Sequence, residues 1–296
     1  MVKHNLFTKG NISFKIGLIG AAALVAERIA LWQQIAGIRY SFFASEILPN
    51  LQEGKDYTLC YDLQKLIEQA DAIDLVDESE QVSDYFQMAV MAHKDVFFAN
   101  PFALDLDSLR LCALLVKESR IICQPGLYLR FQEDIREHSR FVFRYLESGI
   151  SLAADKKITQ KQWLALVNNH VDLLSYLAHS PIKRIAAFSL AINNIEHALL
   201  NFRIQFDNSS VANCTININA MVEEQVSALY NEAQQKLILW TKNNAFTHDI
   251  FDQNCVINAM EHFIRHSIEQ VATKVTIFDA LNTVELSKDI INQIEA

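Results

Sequence analysis

In the first part of the chain, apolar residues gather in short unbroken runs, and the stretches between them carry apolar residues at helical spacing. The runs are FKIGLIG (14–20), IRYSFFA (38–44), AIDLVD (72–77), DVFFAN (95–100) and SRIICQP (119–125). Their length and their β-branched and aromatic content predict strands buried on both faces. Residues 21–36, 62–70, 81–92 and 106–118 predict helices between them, with Asp62 placed to cap the second. Strand and helix alternating over short links imply a parallel sheet covered on both sides.

The pattern changes after Pro125. A helix is expected around 132–147 and another over 163–181. Strand-like runs follow at 182–192, 197–206, 211–220, 225–231 and 235–242. NFRIQF and NCTININA alternate, which predicts one buried and one open face. The tight FDNSS link (206–210) predicts antiparallel neighbours. Two helices, about 249–270 and 278–294, close the chain. The expected class is α/β, in two parts. Residues 1–124 form a Rossmann-type doubly wound parallel sheet, and residues 125–296 form an α+β domain with an open, mostly antiparallel sheet.

Composition narrows the function. A formal net charge of −9 argues against a nucleic-acid partner, which needs a basic footprint. Arg136, Arg140 and Arg144 would share a helix face, read as a solvated row among Glu133, Asp134 and Glu137. The run from Ile16 to Ala26 ends at Glu27 and Arg28, well short of the roughly 20 residues a bilayer span needs. No membrane partner is expected. The five cysteines are scattered without a C-x-x-C, which predicts reduced thiols and a cytoplasmic protein. All seven glycines lie at or before Gly149, so later turns must use Asn, Asp and Ser, as in FDNSS and TKNN (241–244).

Candidate chemistry starts at KIGLIGAAALVAER (15–28). A dinucleotide turn usually wants G-x-G-x-x-G, so that the backbone can approach a pyrophosphate. Here Gly20 is present and the later positions read Ala22 and Val25. His262 and His266 stand at i, i+4, but no third ligand is apparent, and no metal is expected. His93, His197 and His248 lie near turns and are expected to face solvent. Asp77, Glu78 and Glu80 read as a solvated acidic loop, with acid–base work as the sharper alternative. Arg130 is expected either to line a cleft or to pair with a carboxylate.

Several strings, in order, resemble the Gfo/Idh/MocA family of NAD(P)-dependent oxidoreductases. They are KIGLIGAAAL (15–24), DAIDLVDESEQVSDYFQMAV (71–90), HKDVFFANP (93–101), IICQPGLYLRF (121–131), HVDLLSYLAHSP (170–181), NFRIQFDNSSVANCTININA (201–220) and the run 250–294. The resemblance implies a cofactor site at Gly20, Ala22, Ala23, Leu24, Ser45, Asp77, Glu78 and Pro101, for NAD or NADP. It implies catalytic positions at Asn100, Asn169, His170 and Asp172, and a possible small-molecule ligand in an interdomain cleft. It also implies a homodimer packed through the C-terminal sheet.

The chain departs from that family where the chemistry sits. The family's E-K-P triplet, whose Lys contacts the reacting hydroxyl, reads Ala99-Asn100-Pro101. Asn100 can hydrogen-bond but carries no charge to stabilise a developing alkoxide. The family's catalytic His falls at Asn169, with His170 turned about 100° away on the helix. The Asp one turn earlier reads Ala165, and the family's T-P reads Asp77-Glu78. The pocket His reads Val82, and the ribose-gripping acid reads Ser45 beside Glu46. Losses confined to the site imply a retained fold with weak or absent dehydrogenase activity. The alternative is an active NAD(P)-dependent enzyme on a sugar-like or polyol substrate, with Asn100 orienting the hydroxyl and His170 as a displaced base.

Overall fold

Strand β1 (Phe14–Gly20) is buried at every position but one, and a strand with two apolar faces must be covered on both. The computed structural model describes residues 14–35, 38–44, 57–139, 142–153, 158–192, 195–221, 224–230, 236–242 and 253–295. By internal contacts the chain divides into two compact units. The first comprises residues 1–128 with 253–281, and the second residues 129–252 with 282–296.

In the first unit, β1 is followed by α1 (Ala22–Trp32), β2 (Ile38–Ala44), β3 (Tyr57–Leu59), α2 (Leu63–Gln69) and β4 (Ala72–Leu75). Then come α3 (Val82–Met91), β5 (Asp95–Phe98), α4 (Leu106–Ser119) and β6 (Cys123–Pro125). The strands lie in the order β3-β2-β1-β4-β5-β6, all parallel. Strand order therefore reverses beside β1, which makes the carboxyl ends of β1 and β4 the switch point where such sheets place ligands. Asp62 caps α2 as expected, accepting from the Lys65 amide. The strand β3 was not foreseen, and Ser45 and Glu46 lie outside the described residues.

The boundary expected near Gln124 and Pro125 gave everything after it to the second domain. Residues 253–281 instead belong to the first unit. Helix α7 (Gln253–Glu269) packs on α1 and β5. It buries Ala259, Met260, Phe263 and Ile264, and the Phe263 ring sits 5.5 Å from that of Phe97. Asp95, at the head of β5, holds both ends of this arrangement. It accepts from the Ile122 amide at 2.8 Å and from the Ser267 hydroxyl at 2.5 Å.

The second unit contains α5 (Glu133–His138), β7 (Tyr145–Ala153), α6 (Gln160–Ala178), β8 (Ile182–Ile192), β9 (Ile195–Phe206) and β10 (Val211–Ala220). Strands β11 (Glu224–Tyr230) and β12 (Lys236–Lys242) follow, and α8 (Ile277–Glu295) starts in the first unit and ends in this one. Strand order is β12-β11-β7-β10-β9-β8; only the β7–β10 pair is parallel. The helix expected over 132–147 is corrected: it ends at His138, and a strand begins at Tyr145. Leu146, Ser148, Ile150 and Leu152 form its buried face, and the polar Ser148 hid the period of two. The arginine row therefore does not lie on one helix. Arg136 belongs to α5, whereas Arg144 precedes β7 and donates to the Asn208 carbonyl. The core joins Trp163, Leu166, Val167 and Leu174 of α6 to Phe202, Ile204 and Ile216 of the sheet.

Glycine scarcity shows in the helix ends. His93 after α3, Arg120 at the end of α4, His179 at the end of α6 and Gln270 after α7 all have left-handed backbones, with φ from 49° to 60°. Ser209 supplies the left-handed residue of the FDNSS turn at φ 67°. A side chain there costs about 1–2 kcal/mol, partly offset by glycine's larger chain entropy of about 0.5–1 kcal/mol. Arg120→Gly and His93→Gly, both at exposed positions, should each stabilise the protein by about 0.5–1 kcal/mol. Urea unfolding midpoints check this.

Candidate functional site

The expected site residues of the first unit that lie among the described residues stand at the carboxyl ends of β1, β4 and β5 or at the start of α1. Gly20 ends β1. A Cβ there would come within 2.8 Å of Val76 and 2.9 Å of the Asp77 amide nitrogen. The glycine is thus required by the approach of the β4 exit, whatever else the turn does. Ala21 has extended backbone and opens α1 with no side-chain cap. No acidic residue occupies that helix's first turn, where Ala22 and Leu24 are half-buried and Ala23 is exposed. Amides at such a helix start have no intrahelical partner and favour an anion.

The β4 and β5 exits have a different character. Asp77 is buried and its Oδ1 accepts from the Ser79 amide at 2.7 Å. It is therefore a turn-forming carboxylate and not a solvated one, unlike the exposed Glu78 and Glu80 beside it. Asn100 Nδ2 donates to Glu78 Oε1 at 2.6 Å, tying the two exits together. Pro101 is buried at the start of a short 3-10 turn, where its missing N–H loses nothing. Tyr85 donates to Gln81 Oε1 at 2.5 Å, and its phenol is pushed up by burial and by Asp77 and Asp84.

In the second unit, α6 carries the remaining candidates, and their side chains are engaged by different partners. Asn169 is buried and donates to the Ala165 carbonyl of its own helix at 2.7 Å. His170 is buried, with Nδ1 2.7 Å from the equally buried Ser148 hydroxyl on β7. Burial depresses its pKa from 6.5 to about 4. Asp172 is gripped by Arg130. Nε lies 3.1 and 3.0 Å from the two carboxylate oxygens, and Nη2 2.6 Å from Oδ1. Thr283 adds a longer contact at 3.4 Å, and the guanidinium lies 4.8 Å from the Tyr176 ring centroid. Of the two expectations for Arg130, the carboxylate partner is the one found.

Among the described residues no group of three or more His, Cys, Asp or Glu side chains is arranged to hold a metal ion. His262 and His266 stack at 4.0 Å, but their Nδ1 atoms are bonded to Gln124 Oε1 and to the His262 carbonyl. His93 is exposed as expected, whereas His197 is half-buried in β9 and stacks on Trp163; His248 lies outside the described residues. All five cysteines are free. No helix of the described residues is long and apolar enough to cross a membrane.

The ion pair of Arg28 and Asp74 was not singled out from sequence. Nε and Oδ2 are 3.1 Å apart, both side chains are buried, and Trp32 Nε1 donates to the same oxygen at 2.8 Å. Its signal was there: an Asp inside the otherwise apolar strand AIDL needs a buried cation.

Two units of this construction, a 3-2-1-4-5-6 parallel sheet and a mixed, mostly antiparallel sheet backed by a long helix, make up a fold shared with solved dehydrogenase structures. No family model and no curated protein matches the sequence. Solved structures do match over nearly the whole chain. UDP-N-acetylglucosamine 3-dehydrogenase from Acidithiobacillus ferrooxidans superposes with a TM-score of 0.79 at 14% identity, covering 96% of this chain and 98% of that one. A probable dehydrogenase from Thermotoga maritima gives 0.78 at 14% identity, over 95% and 97%. Scyllo-inositol dehydrogenase from Lactobacillus casei, solved with bound NAD(H) and scyllo-inositol, gives 0.75 at 13% identity, over 96% and 97%.

His170 makes a testable demand. Its folded pKa lies below the unfolded value, so between pH 6.5 and about 4 the unfolded chain binds the extra proton. Acidification through that window should remove roughly 3 kcal/mol of stability. Urea unfolding across the range should show the loss, and His170→Gln should flatten it.

Proposed function

We propose that this chain is a Gfo/Idh/MocA-like protein with weak or no dehydrogenase activity, acting as a binding or partner subunit. The observation that carries the reading is the state of the four catalytic positions. Asn100 is spent on Glu78, Asn169 on its own helix, His170 on Ser148 and Asp172 on Arg130. No Lys or exposed His stands among them to move a proton or to stabilise an alkoxide. His170, fully buried and favouring the neutral form, argues against the displaced-base alternative.

The first unit still suits the phosphate end of NAD or NADP. The uncapped start of α1 offers backbone amides. When bound, a nicotinamide cofactor would supply the hydride chemistry. The contribution of this chain would be to hold the pyrophosphate at Ala22–Leu24. The exposed Glu78 carboxylate, bonded to Asn100, disfavours further anionic groups at the neighbouring exits. Titration with NAD(H) and NADP(H) by calorimetry, then assay on sugars and polyols, separates binding from reaction. The expected outcome is hydride transfer at or barely above background; turnover of any such substrate at about 1 per second or faster, the ordinary enzymatic range, would overturn the reading. Five free thiols fit a cytoplasmic protein.

We further infer a homodimer through the open face of the second sheet. Phe188 and Leu190 of β8 and Tyr145 of β7 are 53, 50 and 37% exposed on that face. The register puts Phe188 opposite Asn201, and Tyr145 in the row of Gln205 and Val211. Light scattering behind a sizing column should report a dimer, and Phe188→Glu should yield monomers. A monomeric parent protein would refute the interface.

A further inference from the structure

Arg28 is a buried cation shared by three separate passes of the chain. It sits on α1, its Nε pairs with Asp74 of β4, and its Nη2 donates to the Tyr128 hydroxyl at 2.9 Å. Nη1 lies 3.6 Å from Met260 Sδ on α7. The guanidinium carbon lies 5.4 Å from the Phe97 ring centroid and 6.0 Å from that of Tyr128. Tyr128 is the last residue of the first unit before the chain leaves it, and α7 is the segment that returns to it.

An ion pair buried this deeply is a poor source of stability, since desolvation offsets most of the attraction. Its use is directional. A guanidinium has a planar set of donors, and each points at one partner. We propose that Arg28 is a conformational clasp, held in orientation by Asp74 and Trp32, that seats both the exit at Tyr128 and the returning α7 on the first unit. Other contacts also hold α7. Gln124 donates to the Ala259 carbonyl at 2.8 Å, and Ser267 bonds Asp95. The clasp therefore governs how firmly and in what register α7 sits, not whether the sheet forms.

The test is amide hydrogen exchange on the full chain. Arg28→Met alone would strand a buried carboxylate, so the variant combines Arg28→Met with Asp74→Asn, which leaves an acceptor for Trp32 and no charge. Exchange over 253–269 and 123–128 should quicken about tenfold or more, while α4, which packs against α3, is unchanged. Unchanged protection in α7, or equal losses in α7 and α4, would overturn the proposal. Tyr128→Phe keeps the ion pair and deletes only the hydroxyl. It should quicken exchange over 123–128 several-fold with α4 unaffected, and unaltered exchange there would equally count against the clasp.

Discussion

The first unit is organised by one constraint: a parallel sheet with two apolar faces must be roofed twice. Strands β4 and β5 are buried at every position, so each face needs helices. The helices that alternate with the strands meet part of that demand. The rest is met by α7, which arrives after the whole second sheet has been made. The polar ties found there, at Asp95, Gln124 and Arg28, all join the sheet or its helices to that returning segment. The position of the switch point follows, because the strand order that needs two roofs also sets β1 and β4 side by side.

Much of this was legible in the residues. Apolar runs fixed β1, β2, β8 and β10 to the residue, because each is bounded by a change of period or a turn former. What failed had physical causes. β7 alternates, but Ser148 stands on its buried side, where it serves His170, so the pattern looked polar. The return of α7 was invisible because periodicity reports that a helix has an apolar face and not what covers it. The Gly20 turn was readable as a fold marker, and its tight approach to Val76 and Asp77 explains why glycine stays there independently of any ligand.

The candidate site was legible as positions and less so as states. The resemblance pointed to Asn100, Asn169, His170 and Asp172, and the side chains there are each engaged within the protein. Sequence alone does not tell that an Asn bonds its own helix or that a His is dry. Both depend on which elements pack against α6, here β7 for His170 and the turn carrying Arg130 for Asp172. The buried pair of Arg28 and Asp74 shows the converse: a polar residue within an apolar strand was a stronger signal than the histidine spacings that drew notice.

The interrupted first unit also has a consequence in time. During synthesis its strands emerge first, yet residues 253–281 are needed to complete its cover. At ribosomal speeds of roughly 5–20 residues per second, the wait after Tyr128 is on the order of ten seconds. During it, one apolar face of the nascent sheet lacks its last helix, while residues 129–252 of the second unit are being made. The unit that starts first is therefore finished late, with apolar surface open to misassociation in the interval.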